Sequence, residues 1–281
     1  MNAIQDWVIR YWAALALTAM LAPILVFAVL ERLVPAERGQ SVRSVWWNLK
    51  VGLVYKLIST AYAALTAYLI AVLLQPFPLG IIDLRFATHG NFLLDLLAAL
   101  LWFFVFDFFY YWFHRAQHQW GWLWLEHRVH HATPSLNAAA SLSHHWIEDL
   151  LRIPTLIVPF MVLFNLNPMA AGLVAVLANG WGYFIHANIP LSLGPLNPIL
   201  CGPAVHRIHH SIEPRHQDRN FAAFFPVWDV LFGTYTGPER GHVPHTGVAD
   251  YPLPVRLRDI LAGPLPDWWH GLTASWRLSR R

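Results

Sequence analysis

Cysteine is almost absent, with Cys201 alone among 281 residues. A single thiol excludes an intrachain disulfide, and without a paired Cys motif neither a zinc ribbon nor an iron–sulfur cluster can be built. Charge is scarce too: Asp, Glu, Lys and Arg make up 12% of the chain, against roughly a quarter in an ordinary soluble domain. With 56% hydrophobic residues, that deficit points to lipid as the main solvent. The formal charge of +3 is small, and the basic residues lie in loops and at the C-terminus, as suits anionic headgroups. Nothing in this pattern supports nucleic-acid binding. No Ser/Gly linker or charge run divides the chain, so one integrated domain is expected.

Long apolar runs are what the chain does have. Tyr11 to Leu30 is an uncharged run of twenty residues, long enough to cross a bilayer core as a helix. It ends in Glu31-Arg32 rather than in the small residues of a cleavage site, which reads as a membrane span. Leu57 to Leu74 forms a second span with Lys56 snorkelling at its end, and Leu96 to Phe113 a third, with Asp107 inside it. Ile153 to Ile185 carries no charge or histidine for 33 residues, with Asn165 to Pro168 near its middle. One rod of that length would reach roughly 50 Å, so a short helical hairpin is expected. Between the first two spans lie Arg32, Arg38, Arg43, Lys50 and Lys56, and between the next two only Arg85. The positive-inside rule then makes the first loop cytoplasmic. The expected architecture is all-α and integral to the membrane, about three spans plus a short helical hairpin, with a histidine-rich helical cap on the cytoplasmic side. Three regions follow: N-terminal transmembrane helices over 1–95, a catalytic region over 96–236 and a cytoplasmic tail over 237–281.

Sixteen histidines are a large excess in so apolar a chain. His114 and His118 are spaced i, i+4, and His127, His130 and His131 are spaced i, i+3, i+4. The second spacing recurs at His206, His209 and His210. Each set projects from one face of a helix. Eight clustered imidazoles without metal would repel one another once protonated and would carry uncompensated burial costs. A polyhistidine di-metal site is the reading that accounts for them. The scattered His89, His242, His245 and His270 read as ordinary hydrogen-bonded residues, and His216, six residues after the last block, as a neighbour of the site.

The motifs HRAQH at 114–118, HRVHH at 127–131 and HRIHH at 206–210 resemble the fatty acid hydroxylase and sterol desaturase superfamily. The likeness includes Asp107, Trp124, the run Asp218-Arg219-Asn220-Phe221, Trp228-Asp229 and the stretch from Leu231 to Thr234, and covers roughly residues 100–236. It implies a further ligand at His186, in YFIHAN, and another at His145, where His145-Trp146-Ile147-Glu148 replaces an HPxE motif. Some relatives carry a histidine four residues before the position of His186. Here that residue is Gly182, and His145 is expected to fill the coordination place.

The resemblance implies two iron ions, with zinc an acceptable substitute, that use O2 to hydroxylate or desaturate a lipid. Imidazole spacing alone does not select iron over zinc, copper or nickel. Asp107, seven residues before His114, is the leading candidate to orient a ligating imidazole, ahead of Glu126, Glu148, Asp149, Asp218 and Asp229. The chain has no flavin fingerprint, haem-attachment motif or cysteine cluster, so a separate electron donor is expected, a ferredoxin or a cytochrome with its reductase. Arg207, Arg215 and Arg219 could dock such a donor or a phosphate headgroup. Two rival functions are a haem-binding membrane cytochrome, which would want isolated histidines in facing spans, and a metal transporter, which would want ionisable residues along a midplane path. Spans one and two hold no histidine, and Asp107 is the one ionisable residue at such a depth.

Overall fold

The computed structural model of the chain describes residues 18, 22–75, 77–83, 92–165, 168–249, 251, 253 and 256–270. Helix α1 occupies residues 22–33, and the earlier part of the expected first span lies outside the described residues, as do Arg85 and His89. Helix α2 runs from Val42 to Leu74 and α3 from Phe92 to Gln119. At 1.5 Å per residue these are rods of ~50 and ~42 Å. Val42–Val72 and Leu96–Gln119 are long and apolar enough to cross a membrane. Their outward faces carry exposed Leu53, Leu57, Leu65, Leu69, Leu97 and Leu100, an apolar surface that suits lipid.

The second span was expected to begin at Leu57, but α2 begins at Val42, right after Ser41. Arg43, Lys50 and Lys56 therefore stand on the helix, not in a loop, and all three are exposed. Isolated cations with flexible stems do not interrupt a helix, so charge marked where apolar character changes and not where the helix starts.

The chain turns sharply after α3 into α4, Gly121–His131. A 3-10 turn follows at Ala138–Leu142 and packs on α2. Gly52 allows this approach, since a Cβ there would stand 2.5 Å from the Leu142 Cβ. Next come α5, Glu148–Arg152, a π-helical turn at Ile153–Ile157, and α6, Val158–Leu163. Pro154 has no amide hydrogen and so disfavours regular α geometry just where the wider turn appears. Strand β2, Phe164–Asn165, pairs in parallel with β1, Ile82–Asp83, and α7 then runs from Pro168 to His186. The run from Ile153 to Ile185 is thus helical on both sides of Phe164–Asn165. The end of α6 is tied to the segment after α2, because Gly80 and Ile81 donate to the Met161 and Val162 carbonyls.

Short helices α8, Pro203–His209, α9, Val227–Leu231, and α10, Leu257–Ala262, follow, with a further helical stretch at 265–270. Trp47 and Val51 of α2 pack with Val129, Ala132 and Ile260, while Ile185 and Val205 close on Cys201. The C-terminal ends of α3 and α7 are thereby brought against α4 and α8, the four helices that carry the histidine blocks.

Candidate metal centre

The helical spacing of the blocks becomes convergence in space. His114, His118, His127, His131 and His209 form one group, and His130, His186, His206 and His210 a second, with the ligand atoms of each group within 4.8 Å of one another. Each group could hold a metal ion. They share a wall: His131 lies 4.3 Å from His210 between ring centroids, and His127 lies 5.4 Å from His130. Trp124 covers the first group, 5.1 Å from His118 and 5.4 Å from His131.

Tautomers follow from the outer partners. His114 Nδ1 meets the Phe221 carbonyl at 2.7 Å, His130 Nδ1 the Ser143 carbonyl at 3.2 Å, His186 Nδ1 the Gly182 carbonyl at 2.7 Å and His209 Nδ1 the Arg219 carbonyl at 2.9 Å. A carbonyl only accepts, so each Nδ1 carries the proton and each neutral ring keeps a bare lone pair on Nε2. The Nε2 atoms point inward and crowd together. His130 and His186 are 3.1 Å apart there, His206 and His186 3.0 Å, and His114 and His127 3.0 Å. His118 Nε2 and His209 Nε2 are buried with no hydrogen-bond partner. Two nitrogens about 2.1 Å from one ion and at right angles to each other stand ~3.0 Å apart. The donor set therefore fits a pair of borderline-soft transition metals.

Burial keeps these rings neutral. It lowers the pKa of His127, His130, His131, His206 and His210 well below 6.5, neighbouring imidazoles adding to the effect, and takes His209 down to about 4. Behind His127 lie the buried carboxyls of Glu126 and Glu148. Burial alone would raise Glu148, but Arg152 and His144 beside it hold it down to about 2. Burial and the Glu148 charge push Glu126 up instead, and Gln117 donates to it at 2.7 Å. The pair thus disfavours two negative charges side by side behind the ligands.

His145 stands outside both groups. Its Nδ1 accepts the Ile147 amide at 3.4 Å. It is His144 that faces the centre, stacked on His130 at 4.4 Å and hydrogen-bonded through Nδ1 to Glu148 at 2.7 Å. His216 also lies apart, bonded to Ser211 at 2.9 Å.

Asp107 does not touch an imidazole. Its oxygens accept the amides of Ala223, Phe224 and Phe225 at 2.9, 3.2 and 2.7 Å. Seven residues of helix separate it from His114 by ~10 Å along the axis, which rules out direct contact. Asp229 accepts the amides of Phe221 and Ala222 at 2.8 and 2.9 Å. Together the two carboxylates clamp the loop whose Phe221 carbonyl orients His114. The next turn of that loop is strained: Asp218 and Asn220 have φ of 56° and 57° on either side of Arg219, the residue whose carbonyl holds His209.

Of the arginines expected to dock a partner, Arg207 is buried and bonded to Asn188 at 2.7 Å and Glu37 at 3.2 Å. Arg215 is paired with Glu213 and Glu239.

Residues 99–234 match the fatty acid hydroxylase family. Alkylglycerol monooxygenase from Danio rerio is 31% identical over 159 residues, 52% of this chain and 32% of that protein, and the Homo sapiens enzyme of the same name is 33% identical over 130 residues, 46% of this chain and 28% of that protein. The chain thus spans about a third of the length of these curated relatives. Ornithine lipid hydroxylase from Rhizobium tropici is 27% identical over 230 residues, 78% of this chain and 66% of that protein. No solved structure matches the chain.

Proposed function

Because the chain belongs to the fatty acid hydroxylase superfamily, we propose that it is an integral-membrane, O2-dependent di-iron oxidoreductase that hydroxylates or desaturates a lipid. The observation that carries this reading is the pair of adjoining all-imidazole groups, with bare Nε2 atoms turned inward and Nδ1–H groups held by carbonyls. His114, His118, His127, His131 and His209 would hold one iron, and His130, His186, His206 and His210 the other. Zinc is accepted by the same donors. Iron bound there would supply the activation of O2 that attack on an unactivated C–H bond requires.

The chain's own residues orient and enclose. The carbonyls of Ser143, Gly182, Arg219 and Phe221 fix the direction of four rings. Phe106, Trp181 and Phe224 wall a cavity that reaches His130, His186 and His206, so hydrocarbon replaces water next to the second group. Electrons come from a separate ferredoxin, or from a cytochrome with its reductase. The N-terminal helices (1–95), the catalytic region (96–236) and the tail (237–281) act as one unit of about three spans plus the hairpin, with the histidines facing the cytoplasm.

The test is iron content together with oxygen incorporation. Membranes containing the protein, given a reducing system and 18O2, are expected to yield an oxidised lipid whose formation requires iron, with 18O retained if the reaction is hydroxylation. A fully iron-loaded, reduced protein that alters no membrane lipid would refute the reading.

A further inference from the structure

From 220 to 238 the chain carries one charged side chain, Asp229, and that carboxylate is fully buried. The outward face of the stretch is apolar, with Val230 50% and Leu231 64% exposed and Phe232 next to them. The stretch lies along α3, which serves as a depth gauge. Phe224 packs on Phe103 at 5.0 Å and Phe225 on Phe104 at 5.5 Å between ring centroids, while Phe232 packs on Trp112 at 4.8 Å. Phe104 comes ten residues before His114 on this helix, ~15 Å along the axis. That is half of a hydrocarbon core about 30 Å thick. Resting on the reading of α3 as a membrane span with His114 at its end, we infer that 221–234 is a re-entrant wedge inserted into the leaflet on the histidine side, with Val230, Leu231 and Phe232 against its acyl chains.

The hydrogen bonding suits that environment. Irregular backbone is tolerated at membrane depth only where protein groups satisfy its amides and carbonyls. All five amides from 221 to 225 are taken by carboxylates, two by Asp229 and three by Asp107. Pro226 has no amide to place. The carbonyls of Ala223 and Phe224 accept Trp181 Nε1 at 3.2 Å and the Cys201 amide at 2.9 Å. A loop in water could leave these groups to solvent, whereas one in hydrocarbon needs a partner for each. Asp107, a carboxylate within an apolar span, thus has a physical reason for its depth.

The lipid-facing surface of α3 continues onto the wedge. Leu97 and Leu100 are exposed on α3, and so is Trp112, where Phe232 meets it. Beside the wedge, 187–205 contains no Asp, Glu, Lys or Arg and exposes Leu196 and Ile199, so insertion submerges no charge there. Charge resumes at Arg219 and Glu239, on either side of a neck closed by the Asn220 amide on the Thr234 carbonyl at 3.1 Å.

Fluorescence quenching of single labelled thiols tests the inference without relying on turnover. Cys201 is buried and silent, so an environment-sensitive fluorophore can be placed at Leu231→Cys, with Val230→Cys as a second site should the first variant not accumulate. Leu100→Cys on α3 is the lipid control and Arg240→Cys, exposed beyond the neck, the aqueous one. The full-length, metal-loaded protein is reconstituted in phosphatidylcholine vesicles and quenched either by nitroxide on the acyl chains or by iodide on both sides of the membrane. Nitroxide quenching at 231 is expected to fall within twofold of that at 100 and at least fivefold above that at 240, with iodide giving the opposite order. Iodide quenching at 230 and 231 equal to that at 240, in variants of unchanged metal content, would overturn the inference while lipid contact at 100 left the span intact. Iodide quenching at 100 as well would overturn the membrane-spanning reading of α3 and the wedge with it.

Discussion

The Nε2 atoms of His130 and His186 stand 3.1 Å apart although each ring has its Nδ1–H committed to a backbone carbonyl. Two neutral imidazoles in these tautomers cannot hydrogen-bond to each other. Facing lone pairs at this distance repel, and the arrangement is favourable only around a shared cation.

Loss of one of these rings should therefore be felt as loss of metal. His130→Ala is expected to lower metal content and abolish lipid oxidation, whereas His145→Ala, which lies outside both groups, should retain full metal. Elemental analysis per chain is the measurement. Equal metal content in both variants would remove His130 from the ligand set.

Asp107 acts through the loop it holds. Asp107→Asn replaces one acceptor oxygen by an NH2 that faces the amides of 223–225, and an unsatisfied buried donor costs about 1–3 kcal/mol. A lower thermal midpoint is expected, with a loss of 10 to 100-fold in metal affinity or activity as the Phe221 carbonyl shifts. An Asn variant with unchanged stability would show that the clamp is dispensable.

The metal-free protein should lose stability in mild acid. Burial and neighbouring rings depress His127, His130, His131, His206 and His210 well below 6.5, and burial takes His209 to about 4. The unfolded chain recovers ordinary imidazoles and so binds more protons than the fold below about pH 6.5. The contribution is complete above that pH and is lost as the pH falls, by about 1.4 kcal/mol per unit for each ring that only the unfolded chain protonates. Thermal unfolding of the apoprotein at pH 7.5 and 5.5 is the check, and the lower pH should give the lower midpoint. A flat profile would contradict buried neutral rings.

Electron supply gives a count. Pre-reduced protein mixed with O2 and lipid, with no donor added, is expected to make at most one product per site, and a ferredoxin or cytochrome with its reductase should restore multiple turnovers. Sustained turnover without any reductant would argue against a separate donor.

Orientation can be read with thiols, because Cys201 is fully buried and gives a silent background. Leu79→Cys is expected to react with an impermeant reagent in intact cells, and Arg43→Cys only after permeabilisation. The opposite pattern would invert the topology.

Helix periodicity made the blocks legible: spacings of three and four residues put the imidazoles of α4 and α8 on single faces, and the structure brings those faces together. His144 and His145 were harder, because they precede α5 in a segment with no helical period to say which neighbour turns inward. Asp107 was recognisable as an unusual charge in an apolar helix, but its partners are backbone amides more than a hundred residues away, and letters do not display amides. The carbonyls of Ser143, Gly182, Arg219 and Phe221 were invisible for the same reason. The beginning of α2 was misplaced because apolar content traces lipid contact, whereas the helix extends beyond it.

The two left-handed residues around Arg219 bear on whether such a centre can be transplanted. Asp and Asn tolerate φ near +57° better than other non-glycine residues, and at 218 and 220 they aim a carbonyl at His209. Nine histidines grafted onto another helical bundle would arrive without that hinge, and the His209 ring would be free to spin. A working copy has to include this short stretch of loop along with the helices, so the smallest portable unit of the site is set by backbone shape as much as by its donor atoms.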